Sequence, residues 1–214
     1  VDDWNRYPAQ MDVRNFYGGD LKGVWDKLDY LQDLGVEVIY FNPLFVSPSN
    51  HKYDIQDYDY IDPHFGVIVS DEGKLLSEGD QCNTHASRYM DRVTNKKNLE
   101  ASNEFFAKLV EEIHKRGMKV IIDGVFNHCG SFNKWLDREH IYSTSPEQYA
   151  SGAYESFNSP YHTFFKFYSN QWPDNNSYDG WWGNDTLPKL NYEEADTLEQ
   201  YILGIGKKWV SEPY

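Results

Sequence analysis

Apolar and polar residues recur along this chain with two different rhythms. From Asp20 to Leu34, the residues Leu21, Val24, Trp25, Leu28, Leu31 and Leu34 repeat at spacings of three and four. That is one face of an amphipathic helix, with Asp20 as its cap and Gly35 as its stop. The stretch VEVIYFNPLF follows at once. It is β-branched, aromatic and ended by Pro43, which predicts a strand. The pattern then repeats. SNEFFAKLVEEIHKRG predicts a helix with Ser102 as cap, Phe105, Phe106, Leu109, Val110 and Ile113 inward, and Gly117 as stop. MKVIIDGVF predicts a second strand, and EEADTLEQYILGIGKKWV a third helix.

Residues 47–98 and 129–191 lack either rhythm and read as two long, polar, aromatic-rich loops. Residues 1–17 show no clear periodicity, and no repeat or low-complexity tract is present. Loops of that length in a compact domain are often functional. Helices alternating with apolar strands imply an α/β fold with a parallel sheet covered on both faces. In such sheets, ligands gather where strands run into loops. Asp123, Asn127 and His128 are polar groups at the end of an apolar strand, so they are expected at that rim.

Composition narrows the ligand. With 34 acidic and 20 basic side chains the formal charge is −14, which disfavours nucleic acid and anionic membrane surfaces and leaves neutral ligands open. No apolar run approaches the ~20 residues of a membrane span. The opening VDDWNRYPAQ is neither basic nor apolar, as a leader peptide would be, and cytoplasmic and secreted locations both stay open. The 17 Tyr, 12 Phe and 7 Trp can stack on sugar or base faces, although packing is the ordinary use of any single ring. Cys82 and Cys129 can pair if close but imply no disulfide framework.

Four stretches together resemble the α-amylase family of glycoside hydrolases (family 13). KVIIDGVFNH is similar to the family's D-x-x-x-N-H region at the end of the third barrel strand. SNHKYDIQDYDYIDPHFG resembles the segment after the second strand, and NFYGGDLKGVWDKLDYLQDLGVEVIYFNPLF the first helix and second strand. LPKLN, residues 187–191, resembles the version found in the neopullulanase, cyclomaltodextrinase and maltogenic amylase branch. The match runs in the family's order over nearly the whole chain. Residues from about Val67 to Leu99 exceed the branch's usual length there and have no assigned role.

The resemblance implies a partial (β/α)8 barrel, about strands two and three with helices one to three, carrying the protruding subdomain B at 129–191. It places the first strand before Val1 and the fourth after Tyr214. The family's nucleophile and acid/base sit on later strands, so no Asp or Glu of this chain is assigned catalysis, and the segment alone is expected to be inactive. The implied reaction is retaining hydrolysis of α-1,4 or α-1,6 glucosidic links, with two carboxyls about 5 Å apart. The alternatives are a glucosyltransferase or α-glucosidase of the same family, or a carbohydrate-binding module that never catalyses.

The resemblance also distributes roles. His128 corresponds to an imidazole that bonds a hydroxyl of the sugar whose linkage is cut; its bland alternative is a histidine satisfied by backbone. Tyr53 corresponds to a stacking platform under the same sugar, or else a core tyrosine. Asp123 resembles a supporting acid. Asn127 resembles a position that binds structural calcium in many amylases, but Lys189 stands where calcium-binding relatives carry an acid. Gly18 and Asp20 resemble part of a different calcium site, which no activity requires. Asp54 and Asp57 are expected to cap turns and brace the loop presenting Tyr53. Trp172, Trp181 and Trp182 are expected either to form outer sugar subsites or to pack the subdomain. Barrel strands without neighbours are expected to self-associate.

Overall fold

The computed structural model describes residues 16–214, so the reading of the chain's first stretch lies almost wholly outside it. The first expected helix forms as two short ones, α1 (Leu21–Trp25) and α2 (Leu28–Asp33). They are split where Lys27 N–H donates to the Val24 carbonyl at 3.0 Å, a tighter turn than the α-helix. Asp20 caps α1 as expected, accepting from Gly23 N–H at 2.7 Å. Strand β1 (Val38–Phe41) follows.

Residues 47–98 hold more structure than their pattern predicts. Phe45–Val46 (β2) pairs antiparallel with Asp57–Ile61 (β3). Ser87–Thr94 forms α3 and runs almost directly into α4, Lys96–Lys115. The true cap of α4 is Asn95, which accepts from Lys97 N–H at 3.0 Å. Ser102, expected as the cap, lies buried in the middle of the helix. Its hydroxyl turns back to the Asn98 carbonyl at 2.8 Å, and a Cβ on the facing Gly66 would sit 2.6 Å from it. A small polar residue mid-helix marks that close approach rather than a terminus. The excess segment itself forms α3 and the first turn of α4, and its opening residues are laid along both. Asn98 accepts from Val69 and Ser70 N–H, and Asp91 from Ser70 Oγ and Glu72 N–H.

Strand β4 (Lys119–Ile122) pairs parallel with β1 in the register Val38↔Lys119 to Phe41↔Ile122. This parallel pair, joined by a crossover through α4, is the unit of an α/β barrel. The expectation of burial on both faces is corrected. Ile39, Phe41, Val120 and Ile122 join the core with Leu109, Val110 and Ile113 of α4, whereas Val38, Tyr40, Lys119 and Ile121 are exposed on the opposite face. Among the described residues, no third strand joins this pair.

Residues 129–191 are irregular but tightly packed. They end in a hairpin of β5 (Gly180–Trp181) and β6 (Asn184–Pro188). Helix α5 (Asp196–Trp209) closes the fold and packs Trp209 against Phe45, ring centroids 5.2 Å apart. Cys82 and Cys129 are both free thiols. Among the described residues, no helix is long and apolar enough to cross a membrane.

Candidate substrate-binding site

The ends of β1 and β4 converge on Asp123. Its backbone N–H still bonds the Phe41 carbonyl at 3.1 Å, which holds the side chain at the sheet's rim. One carboxylate oxygen, Oδ2, accepts two phenols: Tyr40 at 2.6 Å and Tyr53 at 2.9 Å. The Asp123 bond raises both phenol pKa values, that of Tyr40 to about 12, so both stay protonated donors at neutral pH. Asp123 is therefore a clamp that fixes the aromatic rings.

Tyr53 is held from its backbone too. Lys52, beside it, adopts φ 64°, a region unfavourable to a long side chain. Its ammonium is buried and donates to Asp62 Oδ2 and the Ser47 carbonyl, each at 2.7 Å. Burial opposes the Asp62 charge, but Lys52 and His64 outweigh it and hold the carboxyl well below its ordinary range. Asp54 braces the same loop by accepting from Ser49 Oγ. The chain at 54 also runs so close to Gly130 that a Cβ there would meet the Asp54 carbonyl oxygen at 2.5 Å, which is why that position has no side chain.

His128 meets this loop directly. Its Nε2 lies 3.1 Å from the Tyr53 carbonyl, and its Nδ1 lies 2.6 Å from the Asn127 amide nitrogen. A carbonyl only accepts, so Nε2 carries the proton and Nδ1 receives the amide hydrogen. Desolvation lowers the imidazole pKa despite the Tyr53 bond, keeping the ring neutral. Both nitrogens are engaged, so a sugar hydroxyl reaching His128 would share Nε2–H with that carbonyl. Asn127 sets the tautomer.

LPKLN lies antiparallel to this segment. Cys129 N–H donates to the Pro188 carbonyl at 3.0 Å and Leu190 N–H to the Asn127 carbonyl at 3.1 Å. That pairing brings Trp181 flat against His128, centroids 4.7 Å apart at 16°. Trp172 instead packs among Phe157, His162 and Phe167. Asp57 caps its local backbone by accepting from Asp59 N–H at 2.9 Å, but its buried carboxylate pairs with Lys134 at 2.7 Å rather than with the loop presenting Tyr53.

The structure thus brings Tyr53, Asp123, Asn127 and His128 together. Gly18 and Asp20 do not join them. Gly18 has φ 78° with open space around it, and Asp20 serves its helix. Calcium takes six to eight oxygens, and among the described residues no group of three or more His, Cys, Asp or Glu gathers to hold a metal. Tyr40 was missed by sequence reasoning. Its signal was its place in β1, two residues before Asn42, on the face that Asp123 shares.

A βαβ unit with polar and aromatic groups collected at its strand ends defines part of an α/β-barrel enzyme domain. Comparison with known proteins supplies the family: the catalytic domain of alpha amylases matches residues 4–98 and 101–213, and the chain belongs to that family. It is 36% identical to an intracellular maltogenic amylase of Bacillus subtilis over 94% of its own length and 26% of the relative's. It is 32% identical to a cyclomaltodextrinase of Thermoanaerobacter pseudethanolicus over 99% and 28%. Among solved structures it resembles the type III pullulan hydrolase of Thermococcus kodakarensis, with TM-score 0.62 and 33% identity, covering 91% of this chain and 26% of that one. The chain therefore spans about a quarter of the length of these relatives, and its fold is a partial α/β barrel.

Proposed function

We propose that this chain is the sugar-positioning part of an α-glucan hydrolase acting on α-1,4 and α-1,6 glucosidic links of maltooligosaccharides, cyclodextrin, pullulan or starch. The observation that carries the reading is the joint fixing of Tyr53. Its phenol is clamped by Asp123 and its carbonyl by His128, which orients an exposed ring at the end of the parallel strands. A clamped aromatic face suits the apolar face of a pyranose. In this reading Tyr53 stacks beneath the sugar, and His128 Nε2–H is shared with one of its hydroxyls. Asp123 and Asn127 keep the two groups in register. Asp123 is held by two phenols and does no nucleophilic work; the retaining displacement falls to carboxyls on other strands of the complete barrel. Positioning of this kind lowers a barrier by removing entropy before the chemical step. The relatives' names support a glucan substrate, and the aromatic rim, its carboxylate tied to two phenols, agrees with it.

The test is calorimetric titration of the chain with maltose and with maltoheptaose, beside an assay of reducing-sugar release. Weak saturable binding without hydrolysis is expected, abolished by Tyr53→Ala. Absence of binding by the unsubstituted chain overturns the reading, as does full binding by Tyr53→Ala or release of reducing sugar.

A further inference from the structure

The excess segment from Val67 to Leu99 has no part in the function proposed above, yet many of its polar groups serve to hold one helix in place. Lys74 N–H donates to Ser87 Oγ at 2.9 Å, and Arg88 N–H to the Lys74 carbonyl at 3.1 Å. Arg92 grips Asp71 with two bonds, at 2.6 and 3.0 Å. A Cβ on Gly73 would sit 2.7 Å from Ser87 Oγ, so this strap lies directly on the start of α3. Met90 and Val93 of α3 are buried in a second, smaller core with Leu99 of α4, Val46 of β2, and Ile141 and Tyr142 of the irregular stretch. That core is shared by the chain leading into the Tyr53 loop and the chain leaving His128.

Tyr89 is the side chain of α3 that reaches both. Its hydroxyl donates to Gln56 Oε1 at 2.7 Å. Gln56 is fully buried, three residues past Tyr53, and its own N–H bonds the Val46 carbonyl at 2.7 Å. The Tyr89 ring stacks on His64, centroids 6.0 Å apart at 16°. His64 Nδ1 lies 2.8 Å from Asp62 Oδ1, on the carboxylate that also holds Lys52 beside Tyr53. The same ring meets Phe132 edge-on at 6.3 Å, four residues past His128. Burial pushes the Tyr89 phenol well above its ordinary range, so it remains a donor. A buried network whose members are all bonded is rigid, and this one ties together the two segments that meet where His128 Nε2 faces the Tyr53 carbonyl.

We propose that Tyr89 is a positioning residue for the sugar site. It acts through Gln56 and the His64–Asp62–Lys52 chain on one side and through Phe132 on the other, and it keeps Tyr53 and His128 in the register that one sugar ring requires. This rests on the function proposed above. Tyr89 itself touches no sugar, and the excess segment serves to place it.

Tyr89→Phe provides the test, because it keeps the ring and removes only the bond to Gln56. Tyr149→Phe is the matched control: it removes a phenol bond of similar length, 2.8 Å, to the Thr94 carbonyl at the far end of the same helix. Two quantities are read beside the melting temperature, the NMR resonance of the His128 imidazole and the calorimetric affinity for maltose. Tyr89→Phe is expected to shift the His128 resonance and to lower the affinity about fivefold, within the range for a coupled residue outside a binding site. Tyr149→Phe should leave both unchanged at a comparable loss of melting temperature. An unmoved His128 resonance or an unchanged affinity in Tyr89→Phe overturns the role of Tyr89 while leaving Tyr53 and the proposed function standing. Equal effects in Tyr149→Phe reduce the bond to overall stability and also overturn it. If the unsubstituted chain binds no maltose, both proposals fall together.

Discussion

The most regular part of the molecule is its least enclosed, and the least regular part is its most enclosed. In the β1–β4 pair, Tyr40 and Ile121 are 56% and 50% exposed. In the irregular stretch after His128, Trp135, Leu136 and Ile141 are wholly buried, as is the polar Asn133. The difference lies in how each region satisfies its backbone. A parallel strand bonds only to neighbouring strands and needs layers on both faces. The irregular stretch uses side chains instead. Asn133 accepts from Trp135 N–H and donates to the Ile55 carbonyl, and Asn175 accepts from Ser177 N–H and donates to the Ser169 carbonyl. A loop built that way can be buried without a ladder.

The sharpest way to break this comparison is to cut one large side chain in each region. Trp135 stacks on Tyr58 at 5.2 Å and meets Phe164 and Tyr201 edge-on. Trp135→Ala is expected to cost about 3–5 kcal/mol, whereas Ile121→Ala on the open sheet face should stay within about 0.5 kcal/mol. Urea unfolding of both variants checks this, and equal losses would erase the distinction. The indole N–H of Trp135 is buried without a partner, so Trp135→Phe should recover most of the loss.

A buried charge comes next. Lys134 lies between Asp57 at 2.7 Å and Asp59 at 2.6 Å, and the Tyr201 hydroxyl donates to Asp59. Desolvation works against the Lys134 charge, but the two carboxylates outweigh it and raise its pKa. Lys134→Met strands Asp57 in the interior and should cost about 3–5 kcal/mol. Asp57→Asn in the same background should restore part of that, because the uncompensated charge is gone. A double-mutant cycle in urea reads the coupling, and additive losses would show that the pair does not hold the irregular stretch to β3 and α5.

How much of this was legible in the sequence follows from the same physics. Spacing-based reasoning found β1, β4, α5 and the body of α4, because their side chains face one core and so recur. It missed β2, β3 and α3, because Asp57, Tyr58 and Thr94 are placed by long-range partners such as Lys134, Trp135 and Ser145. It misread Ser102, whose meaning depends on Gly66 across the interface. Tyr53, Asp123, Asn127 and His128 were recoverable as a group only through the family's motifs. Nothing in their spacing says that Tyr53 and Tyr40 share one carboxylate oxygen, since those contacts span 70 and 83 residues. Trp181 and Trp182 were singled out only as aromatic rings, and the β5–β6 hairpin that carries them was not read from the sequence.

A smaller effect depends on pH. Asp137 sits in the irregular stretch with its carboxylate buried, accepting from Tyr142 and Ser143 N–H at 3.0 and 2.8 Å. Burial nevertheless pushes its pKa up to about 6. In the unfolded chain the group ionises near pH 4. Below that, both states are protonated and the residue is neutral to stability. Between about pH 4 and 6 the folded state keeps a proton the unfolded state has lost, so stability falls as pH rises, by on the order of 2 kcal/mol. Asp137→Asn should lose that slope, gaining on the unsubstituted chain across the window. Parallel pH profiles would sink the assignment.

The smallest effect on folding carries the clearest consequence for the open sheet. Val38 and Ile121 are 42% and 50% exposed on the same face as Tyr40, and an uncovered apolar sheet face is an association surface. Replacing them should change folding stability by no more than about 0.5 kcal/mol, because neither is enclosed. Solution behaviour should change more. Sedimentation of the chain is expected to show concentration-dependent self-association, which Val38→Lys with Ile121→Lys reverses by adding charges beside Lys119. If the unsubstituted chain is monomeric at all concentrations, the exposed face tolerates water by itself. If the double lysine variant associates equally, the contact lies elsewhere. If it unfolds, the strands depend on that face for stability, and the contrast with the side-chain-buttressed irregular stretch is wrong.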